Sequence, residues 1–308
     1  MNFLNIFIEI GTLFVVMLIG WICGRSNVIT ANGEDVISSI AIKIAFPALI
    51  VTSMMQTFTM ELFRNSIALI ILSGIIYGLI ILALEIWRKL SKKSNSELGT
   101  LQLMIIFGNA AFMGFPVVNA VYGSIGVFYA ASFNMFYNLL VFSYGVILLK
   151  RGNKFSVWKT LMNPGFLATI LGFILFLFNV EPPYIILQPL KMIGNITIPL
   201  ALLLVGSSLS RTKLTDLIRP RDIWMTSFAR LLLFPAVLLF SLPLMGLNQY
   251  QVAIPVIIMA TPVALTAGAF AGVYGGDSVL ANKGVILSNL LSILTVPMVI
   301  WVLLKVIS

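Results

Sequence analysis

The sequence contains no histidine and only one cysteine, Cys23, in 308 residues. The lack of histidine excludes a histidine metal site, a histidine general base and a histidine pH switch. One cysteine cannot form an intramolecular disulfide, so Cys23 is expected to serve in packing. The apolar segments also hold no cluster of cysteines or carboxylates and no phosphate-binding loop. No catalytic residue, metal ligand or cofactor is therefore predicted, and the chain is not expected to be an enzyme.

Charged residues are scarce as well, at 9% of the sequence against 60% hydrophobic residues. A soluble globular protein carries about 25% charged residues. So few charges cannot cover a water-soluble particle, and the sequence predicts an all-α integral membrane protein within a lipid bilayer. The apolar run from Phe3 to Cys23 has no basic n-region and no small-residue cleavage site, which favours a span over a signal peptide.

A transmembrane helix needs about 20 mostly apolar residues. The hydrophobic pattern predicts ten such spans and no soluble domain. The predicted spans are 4–23, 36–56, 64–87, 100–122, 125–149, 163–180, 185–208, 222–244, 250–274 and 280–306.

Basic residues cluster in three connections on one side of this arrangement, and the opposite connections hold little beyond Arg64. The positive-inside rule makes the basic side cytoplasmic, which places both termini outside in a multi-pass protein of the cell membrane. The net charge of +9 is then explained by orientation, and no nucleic-acid partner is predicted. The basic residues are Arg88, Lys89, Lys92, Lys93, Lys150, Arg151, Lys154, Lys159, Arg211, Lys213, Arg219 and Arg221.

Short stretches of the two halves of the chain resemble each other at a constant offset. Pro47 and Pro199 lie in similar apolar stretches (199 − 47 = 152), and Gly123 and Gly275 each end a Val-Tyr-Gly triplet (275 − 123 = 152). The stretch YNLL begins at residue 137 and SNLL at residue 288 (288 − 137 = 151). Three matches at nearly one offset indicate a duplication.

The duplication divides the chain into a first repeat, 1–150, and a second, 151–308, with five predicted spans each. Because five is odd, the second repeat must be inverted relative to the first. Inverted repeats are the architecture of secondary transporters, whose substrate sites lie near the bilayer midplane between interrupted helices.

The fourth and ninth spans carry residues that interrupt helices. In the fourth, Met113–Pro116 reads MGFP, where Gly114 suits the end of one half-helix and Pro116 the start of the next. In the ninth, Thr261 and Pro262 suit the cap and the first position of a half-helix, whereas the offset of 152 places Gly268 opposite Pro116 (268 − 116 = 152). The break in the ninth span is placed between Thr261 and Gly268.

Two half-helix N-termini at the midplane would present unpaired N–H groups and the positive ends of two dipoles, which together favour an anion. Asn109 and Asn119 are predicted to flank one break, and Thr261 and Thr266 the other. The alternative is a proline kink with asparagines that bond neighbouring helices.

The stretch GNAAFMGFPVVNAVYG in the fourth span, with IGNITIPLALLLVGSSL in the seventh, resembles the auxin efflux carrier family, which includes plant PIN carriers and bacterial malate or malonate permeases. The resemblance covers the whole chain. It implies a fold like that of bile-acid symporters and sodium/proton antiporters, with crossover helices four and nine. It also implies a scaffold domain (spans 1, 2, 6 and 7) and a transport domain (spans 3–5 and 8–10) that moves like an elevator.

By this resemblance Asn109 and Pro116 are expected at the substrate site and crossover, and Pro262 matches a family proline. The long cytoplasmic loop of many plant members is absent, and Glu61 with Arg64 only partly matches their acidic–basic pair, so auxin is not assigned as substrate. The full predicted substrate-binding set is Asn109, Gly114, Phe115, Pro116, Asn119, Asn138, Thr261, Pro262, Thr266 and Asn289.

Two basic residues, Lys43 and Arg230, lie within predicted spans. Charges inside spans are costly and mark functional candidates by default. Their side chains either snorkel to the headgroups or form structural hydrogen bonds, or they draw an anion into a cytoplasmic vestibule. Both interpretations are open from the sequence.

The resulting expectation is a secondary carrier of a small organic anion, a mono- or dicarboxylate that is malate-like, malonate-like or auxin-like. The alternative is a sodium-coupled symporter of larger, bile-acid-like amphipathic anions. Spans four, five, nine and ten lack a central carboxylate, which argues against a proton antiporter. Sodium could bind at Asn134, Asn138, Asn289 or threonines, so uniport and coupling to Na⁺ or H⁺ are all open, as is a homodimer.

Overall fold

The computed structural model of the protein describes residues 3–149, 162–211 and 221–307. Within these ranges the regular elements are helices, together with one isolated antiparallel bridge between Gly108 and Val263. The α-helices are α1 (Phe3–Arg25), α2 (Ala31–Ile40), α3 (Phe46–Met54), α4 (Met60–Leu90), α5 (Asn95–Ile106), α6 (Phe115–Phe142), α7 (Tyr144–Leu149), α8 (Pro164–Leu177), α9 (Tyr184–Asn195), α10 (Thr197–Ser210), α11 (Arg221–Phe228), α12 (Phe234–Ser241), α13 (Gln249–Met259), α14 (Ala267–Tyr274) and α15 (Ser278–Ile307).

Among the described residues, six helical stretches are long and apolar enough to cross a membrane, in agreement with the predicted all-helical membrane class. One of them, Ala110–Leu149, is interrupted at Gly123, whose φ of 61° is left-handed. The other five are Ala31–Met54, Met60–Leu90, Tyr184–Ser210, Arg221–Met245 and Ser278–Ile307, and shorter apolar helices cover Gly11–Arg25, Pro164–Leu177 and Gln249–Met259.

Three Phe-Pro pairs each follow a widened, π-helical turn. At each pair the phenylalanine N–H donates to the carbonyl five residues earlier. A proline ring clashes with the carbonyl four residues before it, and a wider turn accommodates the ring without ending the helix. The turns are Ala41–Ala45, Ala110–Gly114 and Ala229–Leu233, and the pairs begin at Phe46, Phe115 and Phe234.

The predicted break at Met113–Pro116 is therefore wrong in position. Gly114 has helical dihedral angles (φ −64°, ψ −52°), and Pro116 lies in the first turn of α6. The chain leaves helical geometry earlier, at residues 107–109, between α5 and the turn Ala110–Gly114. The wide turn absorbs the proline, and contacts with other helices fix the break upstream.

The break in the second half spans residues 260–266, between α13 and α14. It overlaps the predicted interval almost entirely. The prediction that Pro262 begins the following half-helix is wrong, because α14 begins at Ala267 with Thr266 as its N-cap residue. Pro262 and Val263 are instead paired with the first break, as described below.

Helix α1 packs closely against α10. A Cβ on Gly206 would lie 1.9 Å from the Met17 carbonyl oxygen, and one on Gly20 would lie 2.3 Å from that of Leu203. The two helices thus touch through their backbones, as small residues allow in membrane proteins. Elsewhere α3 packs on α8 and α9, α6 on α4 and α13, and α15 on α11 and α14.

The junction of the two predicted repeats, at residues 150 and 151, lies outside the described residues. The same holds for six of the basic residues used to predict orientation, which are Lys150, Arg151, Lys154, Lys159, Lys213 and Arg219.

Candidate functional site at the helix crossover

The two breaks lie against each other and exchange backbone hydrogen bonds. The Asn109 N–H donates to the Pro262 carbonyl at 2.7 Å, and the Ala264 N–H donates to the Phe107 carbonyl at 3.2 Å. These bonds flank the antiparallel bridge between Gly108 and Val263. Non-helical backbone is tolerated at membrane depth only where protein or water satisfies it, and here each break satisfies the other.

Arg230, in the widened turn before α12, is fully buried beside this crossing (0% exposed). Its Nη1 donates to the carbonyls of Ile105 and Ile106 at 3.1 and 3.0 Å. Its Nε donates to the Thr261 carbonyl at 3.0 Å, and its Nη2 to the Ile258 carbonyl at 3.4 Å and to Thr261 Oγ1 at 3.3 Å. All five N–H groups of the guanidinium therefore have partners.

The carbonyls that Arg230 binds lie at the C-terminal ends of α5 and α13, except that of Thr261, which lies two residues beyond the end of α13. The last carbonyls of a helix lack intrahelical donors and carry the negative end of its dipole. The guanidinium supplies donors and positive charge to both ends at once, in a planar arrangement that suits this residue. Among the described residues Arg230 makes no ion pair with a carboxylate.

The lack of a side chain at Gly108 leaves room for the Arg230 guanidinium. A Cβ added to Gly108 would lie 1.7 Å from Arg230 Nη2 and 2.5 Å from Thr261 Oγ1. The Gly108 carbonyl accepts a hydrogen bond of 2.8 Å from the Tyr137 hydroxyl. No residue with a side chain fits at position 108 while Arg230 stays in place.

Each break is also held by a polar residue of another helix. Tyr137 of α6 binds Gly108, and Ser288 of α15 accepts the Val263 N–H at 3.0 Å. The neighbouring Asn289 donates from Nδ2 to the Val285 carbonyl at 2.7 Å, with a longer contact to the Val263 carbonyl at 3.5 Å. Tyr137 and Ser288 are the first residues of the repeated YNLL and SNLL stretches, so corresponding positions contact the two residues of the bridge.

The second half-helix of the first break begins at Asn109, which is 3% exposed. Asn109 Oδ1 accepts the Phe112 N–H at 3.3 Å, and the Asn109 carbonyl accepts those of Met113 and Gly114 at 3.1 Å. Its Nδ2 is buried and has no hydrogen-bond partner among the described residues. The N-terminal end of this half-helix thus carries an unused buried donor.

The structure brings four of the predicted site residues together at the crossover, namely Asn109, Thr261, Pro262 and Asn289. Thr266 lies exposed at the start of α14, where its side chain caps no N–H. Asn138 lies half-buried on α6 beside Tyr137, which makes the contact with the break in its place.

Gly114, Phe115 and Pro116 lie in the helical turns that follow the first break and serve in packing. A Cβ on Gly114 would lie 2.9 Å from Ile258 Cδ1, across the crossing. The buried Phe115 ring packs edge-on against Phe46, with centroids 4.8 Å apart. Asn119 does not flank the break; ten residues at about 1.5 Å each put it some 15 Å along the helix from Asn109.

The two charges within predicted spans lie in different surroundings. Lys43 is exposed in the turn Ala41–Ala45. The contacts of Arg230 favour structural hydrogen bonding, the alternative left open by the sequence. No group of three or more acidic or cysteine residues able to hold a metal ion occurs within the described ranges.

Gly108, Tyr137 and Ser288 are missing from the predicted set. The repeated stretches YNLL and SNLL begin with Tyr137 and Ser288. The predicted set contains the neighbouring Asn138 and Asn289 instead, because side-chain amides are the more usual ligands. Gly108 precedes Asn109 directly, and nothing in an apolar sequence identifies the arginine 122 positions later as its neighbour (230 − 108 = 122).

The chain matches the family described as membrane transport protein over residues 5–157 and 151–300. It is 23% identical to an uncharacterized transporter of Methanocaldococcus jannaschii over 303 residues, which cover 94% of this chain and 96% of the relative. It is 24% identical to an uncharacterized transporter of Methanothermobacter thermautotrophicus over 297 residues, covering 93% and 95%.

Proposed function

Because the chain belongs to the membrane transport protein family, that of the auxin efflux carriers, we propose that it carries a small organic anion across the cell membrane by alternating access. The anion is a mono- or dicarboxylate. It binds at the crossover, at the N-terminal ends of the second half-helices.

The unpartnered Nδ2 of Asn109 is the observation that carries this proposal. Leaving a buried donor unsatisfied costs about 1–3 kcal/mol. A donor at a helix N-terminus is matched by an acceptor with negative charge, because the helix dipole adds to the attraction. A carboxylate oxygen meets both requirements.

The position of Arg230 also supports a negatively charged ligand at the crossover. The guanidinium compensates the negative C-terminal ends of α5 and α13. The positive N-terminal ends on the other side of the breaks receive no such compensation from a carboxylate side chain among the residues described. The crossover as a whole is therefore suited to an anion.

The same contacts argue against the sodium-coupled alternative. In transporters with broken helices, carbonyls at half-helix C-terminal ends coordinate the coupling cation. Here those carbonyls already receive four of the five N–H groups of the Arg230 guanidinium. We therefore favour the small-anion carrier over a sodium-coupled symporter of larger anions.

We further propose ten transmembrane helices in two inverted repeats, with a scaffold and a moving transport domain. Gly123 and Gly275, which correspond in the repeat, both have positive φ, 61° and 82°. Asn109 and Thr261 also correspond (261 − 109 = 152), and both lie at the crossing. The basic loops face the cytoplasm and both termini lie outside.

Uptake into liposomes that contain the purified protein tests the proposal. Radiolabelled malate, malonate and benzoate are offered under imposed sodium, proton and voltage gradients, with protein-free liposomes as the control. We expect at least one carboxylate to accumulate or exchange, and replacement of sodium by choline to leave the rate unchanged. If no carboxylate enters or exchanges under any gradient, the carrier proposal is wrong.

A further inference from the structure

A cavity of about 570 Å³ lies between α3, the α9 helix and the stretch of α6 around Asn119. Its lining residues come from the C-terminal part of α3, the connection before α9 and α9 itself, on the side predicted to be extracytoplasmic. Small-molecule sites have volumes of about 300–1,000 Å³, so the cavity is large enough for an aromatic or aliphatic carboxylate. It lies apart from the crossover, since Asn119 is about 15 Å along the helix from Asn109.

Polar residues of two helices and of the chain next to them line this cavity. On α9 the lining residues Lys191 and Asn195 lie four residues apart, the spacing of one helix face, and the apolar Leu187 lies one turn earlier on that face. The cavity is also lined by Thr52 in the last turn of α3 and by Gln56, two residues beyond its end. Polar lining inside an apolar span indicates a compartment that admits a polar molecule.

Lys191 is the positive charge of the cavity. It lies about two turns into α9 and inside predicted span seven. It makes no ion pair in the described part of the chain. A lysine within a span that faces a polar cavity without a carboxylate partner is suited to an anionic ligand.

The other groups of the cavity define what kind of anion fits. The amides of Asn119 and Asn195 make no hydrogen bond to other described side chains and offer N–H donors. Glu181, the one acidic lining residue, lies in the connection before α9, ten residues before Lys191 (191 − 181 = 10). One positive and one negative lining charge favour a ligand with a single negative charge, because a second carboxylate would face Glu181.

We propose that this cavity is a second ligand site that binds a monocarboxylate, with Lys191 as its counter-charge and Glu181 as the group that rejects dicarboxylates. The inference depends on the proposed function in one respect, namely that the ligand is the anion that the protein carries. The site itself stands on the geometry of α3, α6 and α9.

Equilibrium binding to the full chain in nanodiscs tests the site without any transport. The probes are benzoate and phthalate, which share a ring and differ by one carboxylate. We expect benzoate to bind the wild-type protein and phthalate to bind at least about tenfold more weakly. Because charge-assisted hydrogen bonds contribute about 1.5–3 kcal/mol, Lys191→Met should weaken benzoate binding about tenfold or more, and Lys191→Arg should largely retain it.

Two further variants separate the site from general effects of charge. Lys43→Met is the matched control, because it removes another exposed lysine from a span that contributes to the cavity, while Lys43 itself does not line the cavity. This variant should change benzoate affinity less than about twofold. Glu181→Gln should strengthen phthalate binding with little effect on benzoate. The inference is overturned if the wild type binds neither probe, if it binds phthalate as tightly as benzoate, or if Lys191→Met binds benzoate normally.

These outcomes are distinct from failure of the proposed function. If the protein binds benzoate in this pattern but moves no carboxylate into liposomes, the cavity site is supported and the carrier proposal is wrong. If the protein transports carboxylates and Lys191→Met binds benzoate as the wild type does, the carrier proposal is supported and the cavity site is wrong.

Discussion

The buried Arg230 Nη2 fills the space that a side chain at Gly108 would need, since a Cβ on the glycine would lie 1.7 Å from this atom. The absence of a side chain on one break thus lets a buried cation reach the carbonyls at the ends of two helices. The guanidinium thus links the turn before α12 to the ends of α5 and α13. This contact explains how two interrupted helices cross with their backbone groups satisfied.

The Gly108→Ala variant is expected to lose most of this arrangement. The added methyl group must displace the guanidinium, and overpacking of a filled interior costs about 1–3 kcal/mol before any hydrogen bonds are lost. We expect a clear fall in melting temperature and in the monodisperse fraction on size-exclusion chromatography. Gly78→Ala is the matched control, because no atom lies within 4 Å of a Cβ there. Equal melting temperatures for the two variants would contradict the close approach.

Replacement of Arg230 tests whether its hydrogen bonds stabilise the fold. Arg230→Met keeps much of the side-chain volume but leaves four buried carbonyls without this donor, at about 1–3 kcal/mol for each group that finds no other partner. Arg230→Lys should restore part of the loss, since an ammonium has three donors and no planar fork. Thermal unfolding in detergent measures the order wild type, Lys variant, Met variant.

The exposed Arg64 provides the control for that series. Arg64→Met should unfold within a few degrees of the wild type, because exposed charges contribute little to stability. An Arg230→Met protein as stable as Arg64→Met would show that the guanidinium does not hold the two helix ends.

Tyr137→Phe removes a single hydroxyl from the crossover. The hydrogen bond from Tyr137 to the Gly108 carbonyl is 2.8 Å long, and its loss should cost about 1 kcal/mol. The same change at Tyr184, which is 76% exposed, should be nearly neutral. Denaturant midpoints of the two variants give the comparison, and a Tyr184→Phe effect as large as that of Tyr137→Phe would speak against a specific contact.

The contact of α1 with α10 yields a prediction remote from the crossover. Gly206→Ala places a methyl group 1.9 Å from the Met17 carbonyl oxygen, so the helices must separate. We expect destabilisation of about 1–3 kcal/mol. Gly11→Ala on the same α1 helix meets nothing within 4 Å and should be neutral or slightly stabilising. Thermal melting of both variants decides, and an unchanged Gly206→Ala protein would contradict the backbone contact.

The sequence was sufficient for the membrane class, the family, the interval of the second break, and the presence of Asn109, Thr261, Pro262 and Asn289 near the crossing. These features follow from composition, from strong motifs and from an internal repeat. The position of the first break did not follow, because Pro116 suggests an interruption and the widened turn Ala110–Gly114 absorbs it. Whether a helix breaks or widens at a proline depends on contacts that other segments supply.

The role of Arg230 was also beyond the sequence. An arginine in a span can snorkel, pair or bind backbone, and the choice depends on which groups are within reach in three dimensions. Its partner Ile106 in α5 is 124 positions away along the chain, and its partner Ile258 in α13 is 28 positions away (230 − 106 = 124; 258 − 230 = 28). Hydrophobic periodicity carries no information about such distant pairs.

Carboxylate flux through the Asn109→Ala variant tests the central claim most directly. The variant is compared in liposomes with the wild type and with Asn95→Ala, which removes an exposed amide at the far end of α5. If the buried Nδ2 of Asn109 binds the carried anion, Asn109→Ala should slow transport about tenfold or more, while Asn95→Ala matches the wild type. Wild-type rates in Asn109→Ala would contradict the crossover as the anion site.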